Sequence, residues 1–374
     1  MMKPKLLVFH KALAPYRIDL FNSLNEAFDT DIYFFRKNLQ SQQFDMSKLM
    51  EQLNFTPKFL TRGFELHHKG RMIRFGYLQK IIRHRPDIIL CLEFSIMTFE
   101  IALFSKIFFP KTKVYTICDD SVSVAQNTSI SRKIGRALCL NLLDGIVLGN
   151  DMAEEWYNKN FPKTKTVVSP IIQKEDRIIS IVNKAKSITA DYIELFQLRD
   201  KNVLLFVGRL VEVKNLNFLL DVFAEYLSEN GNAVLVLVGD GKKNAELHEL
   251  AEQLNIKSNV IFAGRYENES LYAWYPVADY LILPSTSETF GAVVNESLIV
   301  GVPVICSSLA GASCLINDMN GRTFNPYDKR ELLETFRNSL NGSKSSQKST
   351  KSGSLMPYTF EDRMNKLEIG RAHV

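Results

Sequence analysis

Two glutamates in the second half of the chain lie where a charged substrate could be held. Glu288 and Glu296 are separated by seven residues within the stretch 281–306, which is predicted to be a strand, a polar loop, a helix ended by Gly301 and a second strand. Free amides at the start of this helix, from Thr289 to Ala292, can bind an anion the size of a phosphate. Glu296 follows just over one helical turn later, so it can accept hydrogen bonds from a neutral hydroxyl near that anion.

Two cations occupy a second loop of the same half. Arg209 and Lys214 follow the apolar run Val203–Val207, which is predicted to be a buried strand, and Gly208 lets the chain turn at its end. Together they can meet two phosphates, the arginine as a planar fork and the lysine as a point charge. An isolated pair of this kind is usually solvated surface charge, but its place at a strand end favours a functional interpretation.

The pattern resembles the E-x7-E signature of family 4 glycosyltransferases, which have the GT-B fold. The run Val207–Lys214 is similar to the G-R-x-x-x-x-K element of that family. Similar pieces follow at Val238–Gly241, Phe262–Gly264 and Asn320–Gly321. The resemblance is specific over residues 201–335 and looser in the first half.

The resemblance implies a retaining enzyme that takes a sugar from a UDP- or GDP-linked donor without a bound metal or another cofactor. Arg209 and Lys214 would stabilise the departing diphosphate, Glu288 would contact the donor sugar, and Glu296 would hold the ribose hydroxyls. The sequence has no D-x-D motif in a metal-binding context, in agreement with metal-free transfer. The donor site would be completed by Gly208, Gly239, Gly241, Arg265, Tyr266, Thr289, Phe290 and Gly291. For the glycines at 239 and 241, a simple turn is the alternative.

Two short segments of the first half are candidates for the acceptor side. Tyr16 and Arg17 resemble the Pro-Tyr-Arg start of some bacterial members, although a Gly-rich loop is more usual there. They either contact the acceptor or the diphosphate, or they merely follow Pro15 at the start of a helix. Asp119 and Asp120 end a predicted strand where many members carry a histidine. They either bind the acceptor or a sugar hydroxyl, or they are turn or helix-capping acids.

Composition excludes several classes of protein. The chain has 374 residues, of which 46% are hydrophobic and 23% charged, so it suits a globular protein of two domains. No apolar run reaches the roughly 18 residues that a membrane span needs. The start does not resemble a signal peptide, and the five cysteines, most of them in apolar runs, indicate reduced thiols in the cytoplasm. The absence of G-x-G-x-x-G after the first strand of either half argues against a dinucleotide-dependent dehydrogenase.

Charge is unevenly distributed along the chain. Residues 1–150 hold 21 Lys and Arg against 13 Asp and Glu, a net charge of +8, and the remainder holds 25 against 28, a net charge of −3. We therefore predict that the first half faces something anionic, either a lipid phosphate or a membrane surface on the inner face of the plasma membrane. Nucleic acid is not expected, because no recognised binding module is present. The basic stretch 67–85, with Ile73, Tyr77 and Ile81 at helical spacing, either packs on a sheet or rests on anionic lipid.

Apolar runs alternate with longer helical segments in both halves, as parallel, doubly wound sheets require. The predicted strands of the first half are Leu6–His10, Asp31–Phe35, Ile88–Leu92, Val114–Cys118, Gly145–Leu148 and Thr166–Ser169. Those of the second half are Val203–Val207, Val234–Val238, Val260–Ala263, Tyr280–Leu283 and Val302–Ser307. The fold class is therefore α/β, with two Rossmann-like domains facing a cleft, and the ligand site is expected at the carboxyl ends of the strands.

The domain boundaries follow from composition and pattern. We predict a first domain over 1–172 with 355–367 packing back on it, a linker over 173–200 that includes a helix, a second domain over 201–341, and a cationic low-complexity loop over 342–354. Residues 368–374 match what a common sequencing-adapter DNA would encode, so we interpret them as a non-native tail and expect the natural C-terminus to be missing.

The predicted function is sugar transfer to a glycan or a polyprenol-linked acceptor in the synthesis of a bacterial surface polysaccharide, such as capsule or O-antigen. Two alternatives remain. A nucleotide-sugar epimerase with the GT-B fold would need acid and base residues and no acceptor site, and product analysis with donor alone separates it. A non-catalytic partner in a glycan-assembly complex could lose its site residues, whereas all four charged ones are present here.

Overall fold

A computed structural model describes residues 3–38, 44–66, 71–229, 232–340 and 353–366. The chain divides into two compact units, the first formed by Met1–Gln173 with Glu361–Val374 and the second by Lys174–Phe360. The segment predicted as a linker over 173–200 forms two helices that count with the second unit. Most of the low-complexity loop and the whole of the 368–374 tail lie outside the described residues.

The first unit is built on a parallel sheet whose strands are buried on both faces. Its strands are β1 Lys5–His10, β2 Asp29–Phe34, β3 Lys58–Phe59, β6 Ile88–Leu92, β7 Lys113–Cys118, β8 Gly145–Leu148 and β9 Thr166–Val168, in the order β3-β2-β1-β6-β7-β8-β9. Within β1, Leu7 and Phe9 join one core cluster and Leu6 and Val8 the other, because successive side chains point to opposite faces. Helices therefore have to cover both sides of the sheet.

Several helices of the first unit begin at side-chain caps. The helices of this unit are α1 Ile18–Ala27, α2 Met46–Glu51, α3 Tyr77–His84, α4 Ile96–Phe108, α5 Val122–Gln126, α6 Ile130–Leu140, α7 Asp151–Asn160 and α15 Phe360–Lys366. The Ser95 hydroxyl accepts from the Thr98 amide at 3.1 Å to begin α4, and the Asn150 side chain accepts from the Ala153 amide at 2.8 Å to begin α7. Met364 of α15 packs against the core of this unit.

The basic stretch 67–85 is not one helix, so that prediction is wrong for its first part. Gly63–Leu66 and Arg71–Arg74 form an antiparallel hairpin, β4 and β5, in which Ile73 lies opposite Phe64. Gly76, with φ at +92°, then turns the chain into α3. Ile73 therefore belongs to a strand, and the helical spacing is kept only by Tyr77 and Ile81, which are both buried. Residues 67–70 lie outside the described residues.

The second unit repeats the architecture with a parallel sheet of its own. Its strands are β10 Asn202–Val207, β11 Ala233–Val238, β12 Val260–Gly264, β13 Tyr280–Leu283, β14 Val304–Ser307 and β15 Gly321–Phe324, in the order β12-β11-β10-β13-β14-β15. Its helices are α8 Glu175–Lys184, α9 Lys186–Leu195, α10 Leu216–Glu229, α11 Asn244–Gln253, α12 Asn268–Tyr272, α13 Ala292–Ile299 and α14 Lys329–Leu340. The predicted doubly wound α/β class with two Rossmann-like domains is confirmed.

A short segment near the end of the second unit closes against α13. We call residues 353–356 the strap. The Leu355 amide donates to the Leu298 carbonyl at 2.8 Å, and the Asn320 side chain donates to the Leu355 carbonyl at 3.0 Å. The strap thus adds one backbone hydrogen bond to α13, the helix that carries Glu296. No helix in the described parts of the chain is both long enough and apolar enough to cross a membrane.

Candidate functional site

The loops at the carboxyl edge of the second sheet are hydrogen-bonded to one another. The amide of Gly239, after β11, donates to the Gly264 carbonyl at 2.8 Å, and the amide of Leu210, after β10, donates to the Asp240 carbonyl at 3.0 Å. The Thr286 amide, after β13, donates to the Val213 carbonyl at 3.0 Å. These bonds join the loops of four neighbouring strands, so the predicted donor residues lie along one edge.

The close approach of these loops explains one of the glycines. A Cβ added to Gly239 would lie 1.8 Å from the Gly208 carbonyl oxygen, a distance that no side chain could tolerate. The glycine is therefore required by contact between two loops of the protein itself. Its predicted role beside the donor stays a prediction.

The structure brings Lys214 and Glu288 into direct contact. The Lys214 ammonium forms an ion pair with the Glu288 carboxylate, and the side chains are only 13% and 17% exposed. The contact joins the loop after β10 to the loop after β13. Arg209 lies in the same loop as Lys214, but it is exposed, and its guanidinium has no ion-pair partner among the described residues. One cation is thus held in place and the other is open to a ligand.

The start of α13 offers unpaired amides beside this ion pair. Gly291 is the N-cap with φ at +100°, and a Cβ there would come within 2.7 Å of the Leu283 side chain, so this position favours glycine on two grounds. The amides of Gly291, Ala292 and Val293 have no acceptor in the described parts of the chain. Such amides, with the positive end of the helix dipole, bind anions.

The other residues of this loop divide between exposed and buried positions. Thr289 is exposed, whereas Phe290 is 1% exposed and its carbonyl accepts from the Ala312 amide at 2.7 Å. Phe290 therefore anchors the loop to the protein core.

Glu296 is a buried acid held by two tyrosines that the sequence analysis did not identify. It is 7% exposed, the Tyr272 hydroxyl donates to Oε1 at 3.3 Å, and the Tyr275 hydroxyl donates to Oε2. Burial, followed by the nearby Glu296 charge, raises the pKa of Tyr275 well above its ordinary value, so its hydroxyl keeps its proton. The spacing of the two tyrosines, three residues apart just before β13, is the pattern that could have identified them.

Arg265 and Tyr266 lie at the end of β12, the edge strand of the sheet. Arg265 is exposed and forms an ion pair with Glu267. Tyr266 packs edge-on against Tyr192 and Trp274, with ring centroids 5.6 and 5.8 Å apart. Tyr266 is thus part of an aromatic cluster with α9, and a role of either residue beside a nucleobase stays a prediction.

A second polar cluster lies at the carboxyl edge of the first sheet. Arg17 ends a 3-10 turn that begins at Pro15, and its guanidinium pairs with Asp119 after β7. Pro15 therefore begins the helical segment, as one interpretation held, and Arg17 also reaches across the sheet. Arg17 is 3% exposed and Tyr16 half-buried. Two of the four predicted acceptor-side residues are thus in direct contact.

His10, at the end of β1, lies beside this pair. It is 7% exposed, and its Nδ1 lies 3.0 Å from the Ala12 carbonyl, which can only accept, so Nδ1 carries the proton. Burial, followed by the charge of Arg17, lowers the pKa of His10 to about 4. The imidazole is therefore neutral near pH 7.

Asp120 is committed to two arginines. It is 4% exposed, Arg132 donates to its two oxygens at 3.2 and 3.3 Å, and Arg136 lies 3.8 Å away. Asp120 does not cap the next helix, because Ser121 accepts the Val124 amide there at 3.4 Å.

Arg136 is fully buried and packs against an aromatic ring. Its guanidinium lies 5.2 Å from the centre of the Trp156 ring, and one nitrogen donates to the Ala125 carbonyl at 3.0 Å. The sequence analysis missed both Arg132 and Arg136, because the amphipathic pattern of α6 does not show which acid they face.

Part of the chain is similar in sequence to known glycosyltransferases. Residues 193–355 match the family model described as glycosyl transferases group 1. Over 123 residues the chain is 36% identical to an uncharacterized glycosyltransferase of Methanocaldococcus jannaschii, covering 33% of this chain and 31% of that protein. Over 118 residues it is 37% identical to alpha-monoglucosyldiacylglycerol synthase of Streptococcus pneumoniae, covering 32% of this chain and 27% of that protein. These matches thus span about a third of the length of each relative.

Solved structures resemble the whole chain. Alr3699/HepE of Anabaena, crystallised with UDP and glucose, superimposes with a TM-score of 0.72 at 16% identity, covering 100% of both chains. The fold is therefore the GT-B fold of glycosyltransferases. The part of the chain that matches group 1 of these enzymes is the part that carries Lys214, Glu288 and Glu296.

Proposed function

We propose that this protein is a retaining glycosyltransferase that moves a sugar from a UDP- or GDP-linked donor to a glycan or a polyprenol-linked acceptor. The observation that carries the proposal is the Lys214–Glu288 ion pair beside the unpaired amides at the start of α13. The pair puts a cation and a carboxylate side by side next to these amides. A nucleotide-sugar has the matching pattern, with an anionic diphosphate next to a sugar.

The geometry suggests how the charge of the leaving group would be met. The diphosphate would take the amides of Gly291 and Ala292 and compete with Glu288 for the Lys214 ammonium. Arg209, which is exposed and without an ion-pair partner among the described residues, would close on the second phosphate. Charge that builds up as the bond breaks would then meet donors already in place, which is the largest single source of rate enhancement in many enzymes.

The carboxylates would have separate roles. Glu288, released from Lys214, would stand beside the sugar while positive charge develops at the anomeric carbon. Glu296 would accept hydrogen bonds from the ribose hydroxyls, and the hydroxyls of Tyr272 and Tyr275 hold its carboxylate in one orientation. Neither role asks for a metal ion, and we propose that transfer is metal-independent. Among the described residues no group of three His, Cys, Asp or Glu side chains is arranged to hold a metal ion.

The acceptor side is proposed for the first unit. Arg17 and Asp119 lie at the carboxyl edge of its sheet with Tyr16 next to them, and their polar groups suit a hydroxylated acceptor. The net charge of +8 over residues 1–150 supports an anionic membrane as a further partner. The likeness to a diacylglycerol glycolipid synthase supports a lipid-borne acceptor. We propose the inner face of the plasma membrane as the location and surface polysaccharide synthesis as the pathway.

Slow hydrolysis of donors tests the proposal without knowledge of the acceptor. The protein is incubated with a panel of UDP- and GDP-sugars, and the release of nucleoside diphosphate is measured together with the identity of the sugar. We expect at least one donor to be hydrolysed and Lys214→Ala to abolish that hydrolysis. Lys257→Ala is the matched control, because Lys257 also pairs with a glutamate but is exposed and lies before β12, away from the site. Conversion of a donor to its epimer, or equal hydrolysis by Lys214→Ala, would contradict the proposal.

A further inference from the structure

Two neighbouring helices of the first unit expose an unusual amount of apolar surface. Of the eighteen large apolar side chains that are exposed among the described residues, seven belong to α4 and α6. Scattered exposed apolar residues are ordinary, but a contiguous group marks an interaction site. The seven side chains, which we call the α4–α6 face, are Ile96, Leu103, Ile107, Phe108, Ile130, Ile134 and Leu138.

The exposed apolar side chains lie on two adjacent helices. On α6, Ile130, Ile134 and Leu138 recur every four residues and are 77%, 56% and 50% exposed, so they form one line along the outer side. The two helices are in contact, since the Cys139 thiol of α6 reaches the carbonyl of Ser95, the N-cap of α4, at 4.0 Å. Each helix already packs its other side against the core, so the outer apolar side chains take no part in that packing.

Charge decides which partner suits the face. Of the four cations on α4 and α6, Arg132 pairs with Glu93 and Asp120 and Arg136 is buried, which leaves Lys106 and Lys133 against one acid, Glu100. Lys106 and Lys133 are exposed, and Glu100 accepts a hydrogen bond from the Tyr77 hydroxyl. A second copy of the chain would bring like charges together, whereas an anionic lipid headgroup layer is complementary.

We propose that the α4–α6 face docks on an anionic lipid bilayer, with its apolar side chains in the boundary between headgroups and acyl chains. Side chains of an interfacial helix reach about 5–10 Å into that boundary, and lysines at its margin contact lipid phosphates. The inner side of α6 carries Arg132, which holds Asp120 at the carboxyl edge of the sheet. The same helix would therefore connect the bilayer with the proposed acceptor side. The inference deepens the proposed function by naming its membrane contact.

Vesicle co-sedimentation of the full chain tests the proposal without donor or acceptor. Wild type is mixed with vesicles of phosphatidylglycerol and phosphatidylethanolamine, or of phosphatidylcholine alone. We expect binding to the anionic vesicles only, weaker at high salt, and at least about tenfold weaker for Ile130→Gln/Ile134→Gln/Leu138→Gln, because three side chains no longer enter the lipid. Lys106→Gln/Lys133→Gln should weaken binding by about fivefold for each lysine removed.

The matched control is Ile179→Gln/Leu195→Gln/Met319→Gln, which removes three exposed apolar side chains from the second unit and should bind like wild type. Thermal unfolding checks that each variant is folded, and Ile130→Gln alone replaces the triple variant if the latter is not. The proposal would be overturned if the face variants bound anionic vesicles as strongly as wild type, or if wild type did not bind them.

Light scattering on the same samples tests the other possible occupant of the α4–α6 face, which is a second copy of the chain. A wild-type dimer that the face variant converts to a monomer would show that a second copy covers the face, and would overturn docking on lipid. Donor hydrolysis is measured on the same samples. Loss of lipid binding with hydrolysis intact would count against this inference alone, and loss of hydrolysis with lipid binding intact would count against the proposed function alone.

Discussion

At the carboxyl edge of the second sheet, Glu296 is held by two tyrosine hydroxyls, whereas at the same edge of the first sheet Asp120 is held by two arginines. Both acids are buried, so each needs hydrogen-bond donors. Neutral donors orient a carboxylate but leave its charge, so it can still bind a ligand hydroxyl. Arginines neutralise the charge and commit the acid to the fold. The comparison predicts that removing acids affects ligand kinetics in the second unit and stability in the first.

The largest effect is expected at the diphosphate side of the second unit. Lys214→Ala and Arg209→Ala should each lower kcat for donor turnover by about 10²–10³-fold, because each removes a preorganised cation where negative charge builds up. Glu288→Gln should lower kcat by about 10²-fold through loss of charge beside the sugar. Steady-state kinetics on folded variants is the measurement. Near-wild-type kcat in both Lys214→Ala and Glu288→Gln would mean that the catalytic centre lies elsewhere.

If Asp120 is not needed for stability, the contrast between the two buried acids does not hold. Asp120→Asn should lower the free energy of unfolding by about 3 kcal/mol, because it leaves the buried Arg136 without its carboxylate. Urea unfolding followed by circular dichroism measures this. Asp318→Asn is the matched control, since that acid pairs with Arg322 but is fully exposed, and no change is expected. If Asp120→Asn is as stable as Asp318→Asn, this result would count against a structural role for the first-sheet cluster.

The free energy of unfolding of the first unit should fall as the pH is lowered, and the second unit should not show the same fall. The pKa of His10 is about 4 in the folded chain and 6.5 ordinarily, so the unfolded chain binds the proton first. The contribution is fully present above pH 6.5 and is lost as pH falls towards 4, by about 3 kcal/mol in all. Hydrogen exchange of β1 and β10 amides across this range is the measurement. In His10→Gln the extra loss in β1 should disappear; if it persists, His10 is not its source.

A smaller effect should appear at the ribose side. Glu296→Gln should raise the donor KM by the equivalent of about 2 kcal/mol with little change in kcat, because the ribose is bound equally in the ground and transition states. Tyr272→Phe removes only a hydroxyl that orients Glu296, so its KM should rise less. A large fall in kcat for Glu296→Gln, with KM unchanged, would assign this acid to the chemical step instead.

No effect is expected from removing divalent metal ions. Donor hydrolysis should be unchanged in EDTA, because two cations and the α13 amides supply the charge that the leaving group needs. The control is the same assay with added Mg²⁺ or Mn²⁺ and no chelator. Loss of activity in EDTA that either ion restores would refute metal-independent transfer and weaken the distinction between the two sheet edges.

Most of the strands could be predicted from the sequence, and the reason is their burial. Runs such as Ile88–Leu92 and Gly145–Leu148 are buried on both faces, so their apolar character marks their bounds. β15 was missed because Gly-Arg-Thr-Phe has no apolar run and is a strand only through pairing with β14. The single helix predicted within the linker over 173–200 is two helices, because helical structure is interrupted at Ala185.

The second-unit site was predictable to the extent that its residues are close in sequence. Glu288 and Glu296 lie on one strand-loop-helix segment, so their spacing could be interpreted directly. The donors that hold the buried acids, Tyr275 for Glu296 and Arg132 for Asp120, come from other elements, and only the packing of those elements shows which acid they serve. The α4–α6 face was missed for the same reason, since a sequence shows amphipathic stripes but not which one the core leaves uncovered.

The strap has a consequence for how the chain can be shortened. A protein that stops after Leu340 would keep every described strand of the second sheet, and its secondary structure content would hardly change. It would nevertheless lose the Leu355 amide that bonds to the Leu298 carbonyl and the Leu355 carbonyl that accepts from Asn320. Loss of the strap should therefore leave α13 less firmly held, and the same truncation would remove α15, whose Met364 packs against the core of the first unit.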